Sequence, residues 1–309
     1  MAEEDLNEVL AIFRSGLEVL RGSNIVYVAA ALAVYVVSTI IYGVRLYIAL
    51  LKIRVPSTFR TILAAYLVSI LVNNITPAAR AGGELSRALF IVVRTGRKYA
   101  GRILSAIAYE RVTEGLAIAL LALTLVITGL AGSNTYPILL LSLILMAVIA
   151  LIIRYWDKVF NLVLTRIPNR FKKGLVDEVE EAETRNYMYV LTRERTLLVV
   201  MVGLGIFAWI LDAVRIHYVA VSVGVTLSMR KAIVISLLYL TIGLLAITPG
   251  GVGVVEGGLT LVLVSLGIAY GKAFAITIIE RIISYGVGSL LGALALVVAG
   301  GRRGWRRLR

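Results

Sequence analysis

"ITPGGVGVVEGG", residues 247–258, sets a proline, five glycines and one carboxylate between two long apolar runs. Proline removes a backbone donor and ends a helix; glycine lets the chain turn sharply and come close to its neighbours. The stretch "ITPAARAGGELSR", residues 75–87, repeats the pattern. Both lie in a chain of 309 residues that is 60% hydrophobic. Several of its runs exceed the roughly 18 apolar residues that mark a bilayer span. The fold class this predicts is an all-α polytopic membrane protein; a β-barrel would alternate apolar and polar residues in segments of about ten. Within a bilayer, irregular backbone survives only where protein buries it or a wet cavity meets it. The two breaks are therefore expected at the centre of the molecule.

The breaks also reveal an internal duplication. Pro77 matches Pro249, and Glu84 matches Glu256 at the same offset. Glu110-Arg111 in "AYERVTEG" matches Glu280-Arg281 in "IIERIISYG" at almost that offset, so the register hardly drifts. The positive-inside rule places Lys52, Arg54, Arg60, the basic cluster at 94–102, the 154–195 region and the C-terminal tail on the cytoplasmic side. The halves then enter the membrane from opposite faces, an inverted-topology repeat. Phe59–Ile75 rises about 25 Å and Leu85–Val93 about 14 Å at helical pitch, against a hydrocarbon core about 30 Å thick. Each break is accordingly expected at the tip of a re-entrant hairpin. Pro77, Gly82 and Gly83 form one break, and Pro249, Gly250, Gly251 and Gly253 the other.

The chain divides into five segments. Residues 1–22 carry Leu6, Val9, Leu10, Phe13, Leu17 and Leu20 at helical spacing and read as an amphipathic interfacial helix; this acidic start predicts no cleavable signal peptide. Residues 23–153 hold the first membrane repeat and a connecting span at Ile138–Ile153. Residues 154–195 form a cytoplasmic amphipathic linker, 196–300 the second repeat, and 301–309 a basic C-terminal tail. Cysteine is absent, which excludes disulfides and thiolate chemistry, and His217 is the one histidine. The net charge of +14 gathers at span ends, where it suits anionic headgroups rather than nucleic acid.

Charges inside apolar segments are costly, at least about 2.5–3.5 kcal/mol at the bilayer centre, and so need a partner or a function. The candidates for contact with a headgroup are Asn74, Arg80, Glu84, Arg87, Glu110, Arg111, Glu114, Glu256, Glu280 and Arg281. Glu84 and Glu256 equally suit simple capping of the helices that restart after each break. Asp212 and Arg215, one helical turn apart, read as a structural ion pair. His217 reads as a satisfied polar contact.

The signature "NNITPAARAGGELSRALF" followed by "AYERVTEGLAIALLAL" resembles the lysylphosphatidylglycerol synthase transmembrane region, also called the YbhN-like family. The matching positions are Asn74, Pro77, Gly83-Glu84, Arg87, Glu110-Arg111 and Glu114, with Pro249–Glu256 and Arg281 in the second half. The resemblance spans about residues 20–300. It implies a lipid flippase fold, related to the membrane half of the multiple peptide resistance factors. The aminoacyl-transferase domain of those factors is not expected here, so synthesis of the aminoacyl lipid is not expected either.

The function expected is transport of a phospholipid or lipid-linked phosphate carrier between leaflets, as a flippase or scramblase. Arg80, Arg87, Arg111 and Arg281 would hold phosphate, and the glutamates would balance them or meet a cationic headgroup. No ATP-binding motif of the GxxxxGK[ST] type occurs. No catalytic residue, cofactor or metal is expected, and the chain is not expected to be an enzyme. The partners expected are membrane lipids with anionic or phosphate-bearing headgroups, with a homo-oligomer allowed. The location expected is the plasma membrane, multi-pass. A membrane enzyme acting on a lipid headgroup, a non-transporting scaffold and a small-solute transporter stand as alternatives.

Overall fold

The computed structural model describes residues 18–76, 81–129, 181–246 and 248–299, with isolated positions 16, 140, 144, 147 and 151. The described residues are helical, without strands. Helices α1 (Ile25–Lys52), α2 (Phe59–Ile75), α3 (Ala81–Thr95) and α4 (Ala100–Ile127) come first, with a 3₁₀ turn at Arg97–Tyr99 before α4. The order continues with α5 (Glu181–Arg193), α6 (Arg195–Ser222) and α7 (Met229–Leu245). A 3₁₀ turn at Pro249–Gly251 leads to α8 (Val254–Ser265) and α9 (Tyr270–Arg281). A π-helical turn at Ile282–Val287 joins α9 to α10 (Gly288–Ala299).

Helix lengths and ends recur along the chain. α1 and α6 have 28 residues each, and α2 and α7 have 17 each. The starts of α1 and α6 are separated by the same interval as those of α2 and α7, the interval that relates Glu110 to Glu280. α1 ends with Arg54 in the left-handed region at φ 56°, and Val55 N–H donates to the Leu50 carbonyl at 3.0 Å. α6 ends with Gly224 at φ 70°, and Val225 N–H donates to the Ala220 carbonyl at 3.0 Å. Both are the left-handed closure that satisfies a helix's last carbonyls. Thr58 and Ser228, matched at that same interval, cap α2 and α7 through their hydroxyls.

Among the described residues, three continuous helical stretches are long and apolar enough to cross a membrane: Ile25–Lys52, Arg195–Ser222 and Tyr270–Val298. They display large apolar side chains such as Ile25, Val199 and Val298 on the outside, which suits a hydrocarbon solvent. α2 is shorter and ends at Ile75, as expected. The helix after the first break differs from expectation. It begins at Ala81 rather than Leu85, so Gly82 and Gly83 lie in its first turn. Gly82 serves close approach: a Cβ there would sit 2.6 Å from the Thr76 hydroxyl. Pro77, Arg80, most of 1–22, most of the 138–153 span, most of 154–195 and the tail 301–309 lie outside the described residues.

Two compact units share the chain. The first comprises Met1–Ser38, Leu71–Gly82 and Trp209–Leu290; the second comprises Thr39–Ile70, Gly83–Ala208 and Leu291–Arg309. In the first unit α8 packs against α7 and α9, around a core that includes Ile216, Val219, Leu259, Leu263, Ile276 and Ile279. In the second, α5 packs along α4, burying Met188 and Leu191. There Gly205 of α6 lets the backbone reach α4, because a Cβ would fall 2.9 Å from that of Ala117.

Candidate functional site

Each unit contains a cluster of charges on apolar helices. In the second unit, α3 supplies Glu84 and Arg87, and α4 supplies Glu110, Arg111 and Glu114. The spacing places Glu84 and Arg87 one turn apart, and Arg111 and Glu114 likewise. Arg87 and Glu110 are fully buried, with Arg87 Nη1 2.8 Å from Glu110 Oε2; Arg87 also hydrogen-bonds Glu84. Arg111 reaches three acids: Glu114 at 2.5 Å, Glu84 at 3.4 Å and Glu110 at 3.5 Å. The side chains of Arg111 and Glu84 are 34% and 30% exposed, whereas Arg87 and Glu110 are sealed. The cluster thus has an accessible rim and a closed floor.

The bonds of this floor are close without being well aimed. Both Glu110 carboxylate oxygens and the Arg87 Nε and Nη1 lack a hydrogen-bond partner of good geometry. Coulomb attraction acts at these distances, but the directional part of a charge-assisted bond is missing. Beneath the floor lies Arg45 of α1, completely buried. Its Nη2 donates to the Glu110 carbonyl and the Thr113 hydroxyl, each at 3.2 Å, while Nε and Nη1 have no hydrogen-bond partner among the described residues. Tyr42 and Tyr66 flank the set, their rings 5.8 Å from the Arg45 guanidinium and 5.9 Å from that of Arg87.

The first unit is arranged differently. Arg215 of α6 grips Glu280 of α9 with two aligned bonds, Nη2 to Oε1 at 2.8 Å and Nε to Oε2 at 3.1 Å. Its Nη1 donates to Asp212 at 2.7 Å. The Asp212–Arg215 pair is therefore one arm of a triad rather than an isolated pair. Arg281 donates to Glu256 at 2.6 Å and to the Gly250 carbonyl at 2.9 Å. Glu256 in turn accepts from the Gly253 N–H at 2.6 Å, capping α8. Glu256 thus both caps its helix and holds an arginine.

The second break is clamped within this unit. Gly250 and Gly251 have φ of 59° and 73°, a region that costs any residue with a Cβ. A Cβ on Gly250 would collide with the Tyr285 ring and lie 2.7 Å from the Asn74 carbonyl. Asn74 donates through Nδ2 to Ser289 Oγ at 2.8 Å and to the Tyr285 carbonyl at 3.3 Å. The Tyr285 hydroxyl donates back to the Asn74 carbonyl at 3.2 Å, and its ring lies 4.6 Å from the Arg281 guanidinium. Asn74, expected as a headgroup contact, is occupied in joining the end of α2 to the π-helical turn. His217 Nδ1 meets the Leu227 carbonyl at 2.6 Å. Among the described residues no three acids, histidines or cysteines gather as a metal site.

Sequence reading missed Arg45. The signal that locates it is a shared offset: Arg45 precedes Arg215 by the same interval that relates Glu110 to Glu280 and Arg111 to Arg281. It also missed the tyrosines Tyr35, Tyr66 and Tyr285. Tyr35 lies 5.5 Å from the Arg215 guanidinium.

Known proteins match along nearly the whole length. A UPF0104 membrane protein of Pyrococcus horikoshii is 20% identical over 301 residues, covering 91% of this chain and 89% of its own. A UPF0104 membrane protein of Methanothermobacter thermautotrophicus is 22% identical, covering 90% and 87%. One of Methanocaldococcus jannaschii is 24% identical, covering 91% and 87%. The family described as the lysylphosphatidylglycerol synthase TM region matches residues 9–292, the stretch that holds both breaks and both charge clusters. This chain therefore belongs to the lysylphosphatidylglycerol synthase transmembrane-region family.

Proposed function

We propose that this protein carries a phosphate-bearing lipid between the leaflets of the plasma membrane, as a flippase or scramblase. The observation that carries this reading is the second-unit cluster. It sets a partly exposed Arg111 and Glu84 over a sealed Arg87–Glu110 pair, on helices otherwise made of apolar residues. Charges of both signs held in this way offer a headgroup a polar foothold where lipid tails would otherwise surround it. Arg111 and Arg87 take the phosphate in the second unit, and Arg281 offers a separate contact in the first, each by charge-assisted hydrogen bonds. The glutamates neutralise the arginines while no lipid is bound.

In this reading the repeated helices are inverted relative to one another, and each Pro/Gly break is the tip of a re-entrant hairpin, an arrangement transporters use to bring half-helices to the substrate. The 154–195 region and the C-terminus face the cytoplasm, and the chain acts without catalysis, cofactor or nucleic acid. The test is a flip assay in proteoliposomes, with labelled phospholipids of several headgroups quenched by dithionite. The native chain accelerates the loss of inner-leaflet signal, and Arg111→Ala and Arg281→Ala slow it by about tenfold or more, as expected for loss of a charged contact. A native chain no faster than empty vesicles with every lipid overturns the proposal. Headgroup hydrolysis in the same samples, lost on Glu110→Gln, would favour an enzyme instead.

A further inference from the structure

Arg45 and Arg215 occupy equivalent places in the repeat, as do Glu110 and Glu280. Yet Arg215 holds Glu280 by two aligned bonds, while Arg45 holds only the main-chain carbonyl of Glu110. The Glu110 carboxylate has turned instead to Arg87, a position where the second half carries Leu259. A fully buried guanidinium with two unused donors is a costly thing to keep. The residue whose carbonyl Arg45 already touches, Glu110, itself carries an acid able to satisfy it.

We propose that Arg45 is a positioning residue that receives the Glu110 carboxylate when a phosphate-bearing anion arrives, releasing Arg87 to bind that anion. This rests on the lipid-transport reading and deepens it, naming Arg87 as the phosphate-binding arginine and Arg45 as the group that frees it. In the resting arrangement, Arg87 is neutralised by Glu110 and Glu84. An incoming phosphate displaces Glu110, and an acid displaced into an apolar interior needs a cation at hand. Arg45 supplies it, and the exchanged pair then matches the Arg215–Glu280 pair of the other repeat. The poor aim of the Glu110–Arg87 contact keeps the exchange easy.

The test is equilibrium binding of phosphatidylglycerol to the full chain in detergent, counted by native mass spectrometry, with inorganic phosphate in a parallel arm and phosphatidylcholine as a further arm. Arg45→Met is expected to weaken phosphatidylglycerol binding about tenfold, because Glu110 then has nowhere to go. The double variant Arg45→Met/Glu110→Gln is expected to bind within about threefold of the native chain, since a neutral side chain no longer blocks Arg87. Arg45→Lys, which keeps the charge, is expected to bind nearly as well as native. A purely structural role for Arg45 predicts no rescue by Glu110→Gln, and that result overturns the proposal. So does a native chain that binds neither phosphatidylglycerol nor phosphate. Binding of inorganic phosphate with the same pattern of loss and rescue identifies a phosphate site indifferent to the lipid and supports the exchange. Should Arg45→Met not fold, Arg45→Gln with and without Glu110→Gln repeats the comparison while keeping a donor toward the Glu110 carbonyl. Binding with loss and rescue but without flipping sinks the transport reading alone; flipping with Arg45→Met unimpaired sinks the exchange alone.

Discussion

Arg215 in the first unit and Arg45 in the second are separated by the same interval as Glu280 and Glu110, and the structure uses them in opposite ways. Around Arg215 every strong donor has an acid opposite it, and Glu280 is held by a planar, two-bond fork. Around Arg45 the acids have been drawn off to Arg87 and Arg111, and two donors are left over. Three differences in sequence account for this. Asp212 stands where the first half has Tyr42, Leu259 stands where it has Arg87, and Ser284 stands where it has Glu114. The helix that follows also differs: α4 runs on regularly past Glu114, whereas α9 passes through a π-helical turn that carries Tyr285 against the break. Extra turns of this kind often accompany specialised sites. The cluster of the first unit is locked by directional bonds, and that of the second keeps its charges paired but loosely aimed.

The sharpest way to break this comparison is to remove each arginine in turn and unfold the protein in detergent. Arg215→Met strands Asp212 and Glu280 in a buried place and should cost about 3–5 kcal/mol, the usual penalty for leaving a buried charge unpaired. Arg45→Met, by contrast, removes a guanidinium that has no acid, and should change stability by no more than about 1 kcal/mol in either direction. Equal losses would mean that the two sites are not different in kind.

The clamp on the second break gives the next effect. Gly250→Ala must fit a Cβ beside Tyr285 and the Asn74 carbonyl in a left-handed backbone, at about 1–3 kcal/mol. Asn74→Leu loses the bonds to Ser289 and the Tyr285 carbonyl, at about 1–2 kcal/mol; thermal unfolding of both variants measures how far the lock depends on that contact. The smallest effect belongs to Lys52 and Glu194, a pair at 2.9 Å that is largely open to solvent. Lys52→Ala should shift stability by about 0–1 kcal/mol, less in high salt. A larger loss would show that surface charge, and not the interior, governs this protein's stability.

Much of the architecture was legible from residue type alone. Long apolar runs located α1, α6 and the α9–α10 stretch to within a few residues, because a chain without water must satisfy its backbone within each helix. Pro249 and the glycines after it located the turn between α7 and α8. The repeat offset was visible in Glu110-Arg111 and Glu280-Arg281, and the helix ends reproduce it. Arg45 was hidden in the run "IIYGVRLYIALL", where one charge among so many apolar residues reads as an ordinary span. Gly82 and Gly83 were expected to open the chain and instead begin α3, where their lack of a side chain serves packing.

By itself the sequence determined that this is a helical membrane protein with long apolar spans and a chain break at Pro249, because composition, helix length and proline act locally and the bilayer enforces them. It also supplied the set of charges at stake. Only the tertiary structure decided which acid answers which arginine. Such pairing depends on distances of a few ångströms between helices far apart in sequence, and a carboxylate between two guanidinium groups goes to the one the packing brings within reach. That choice, and not the list of charges, is what separates Arg215 from Arg45.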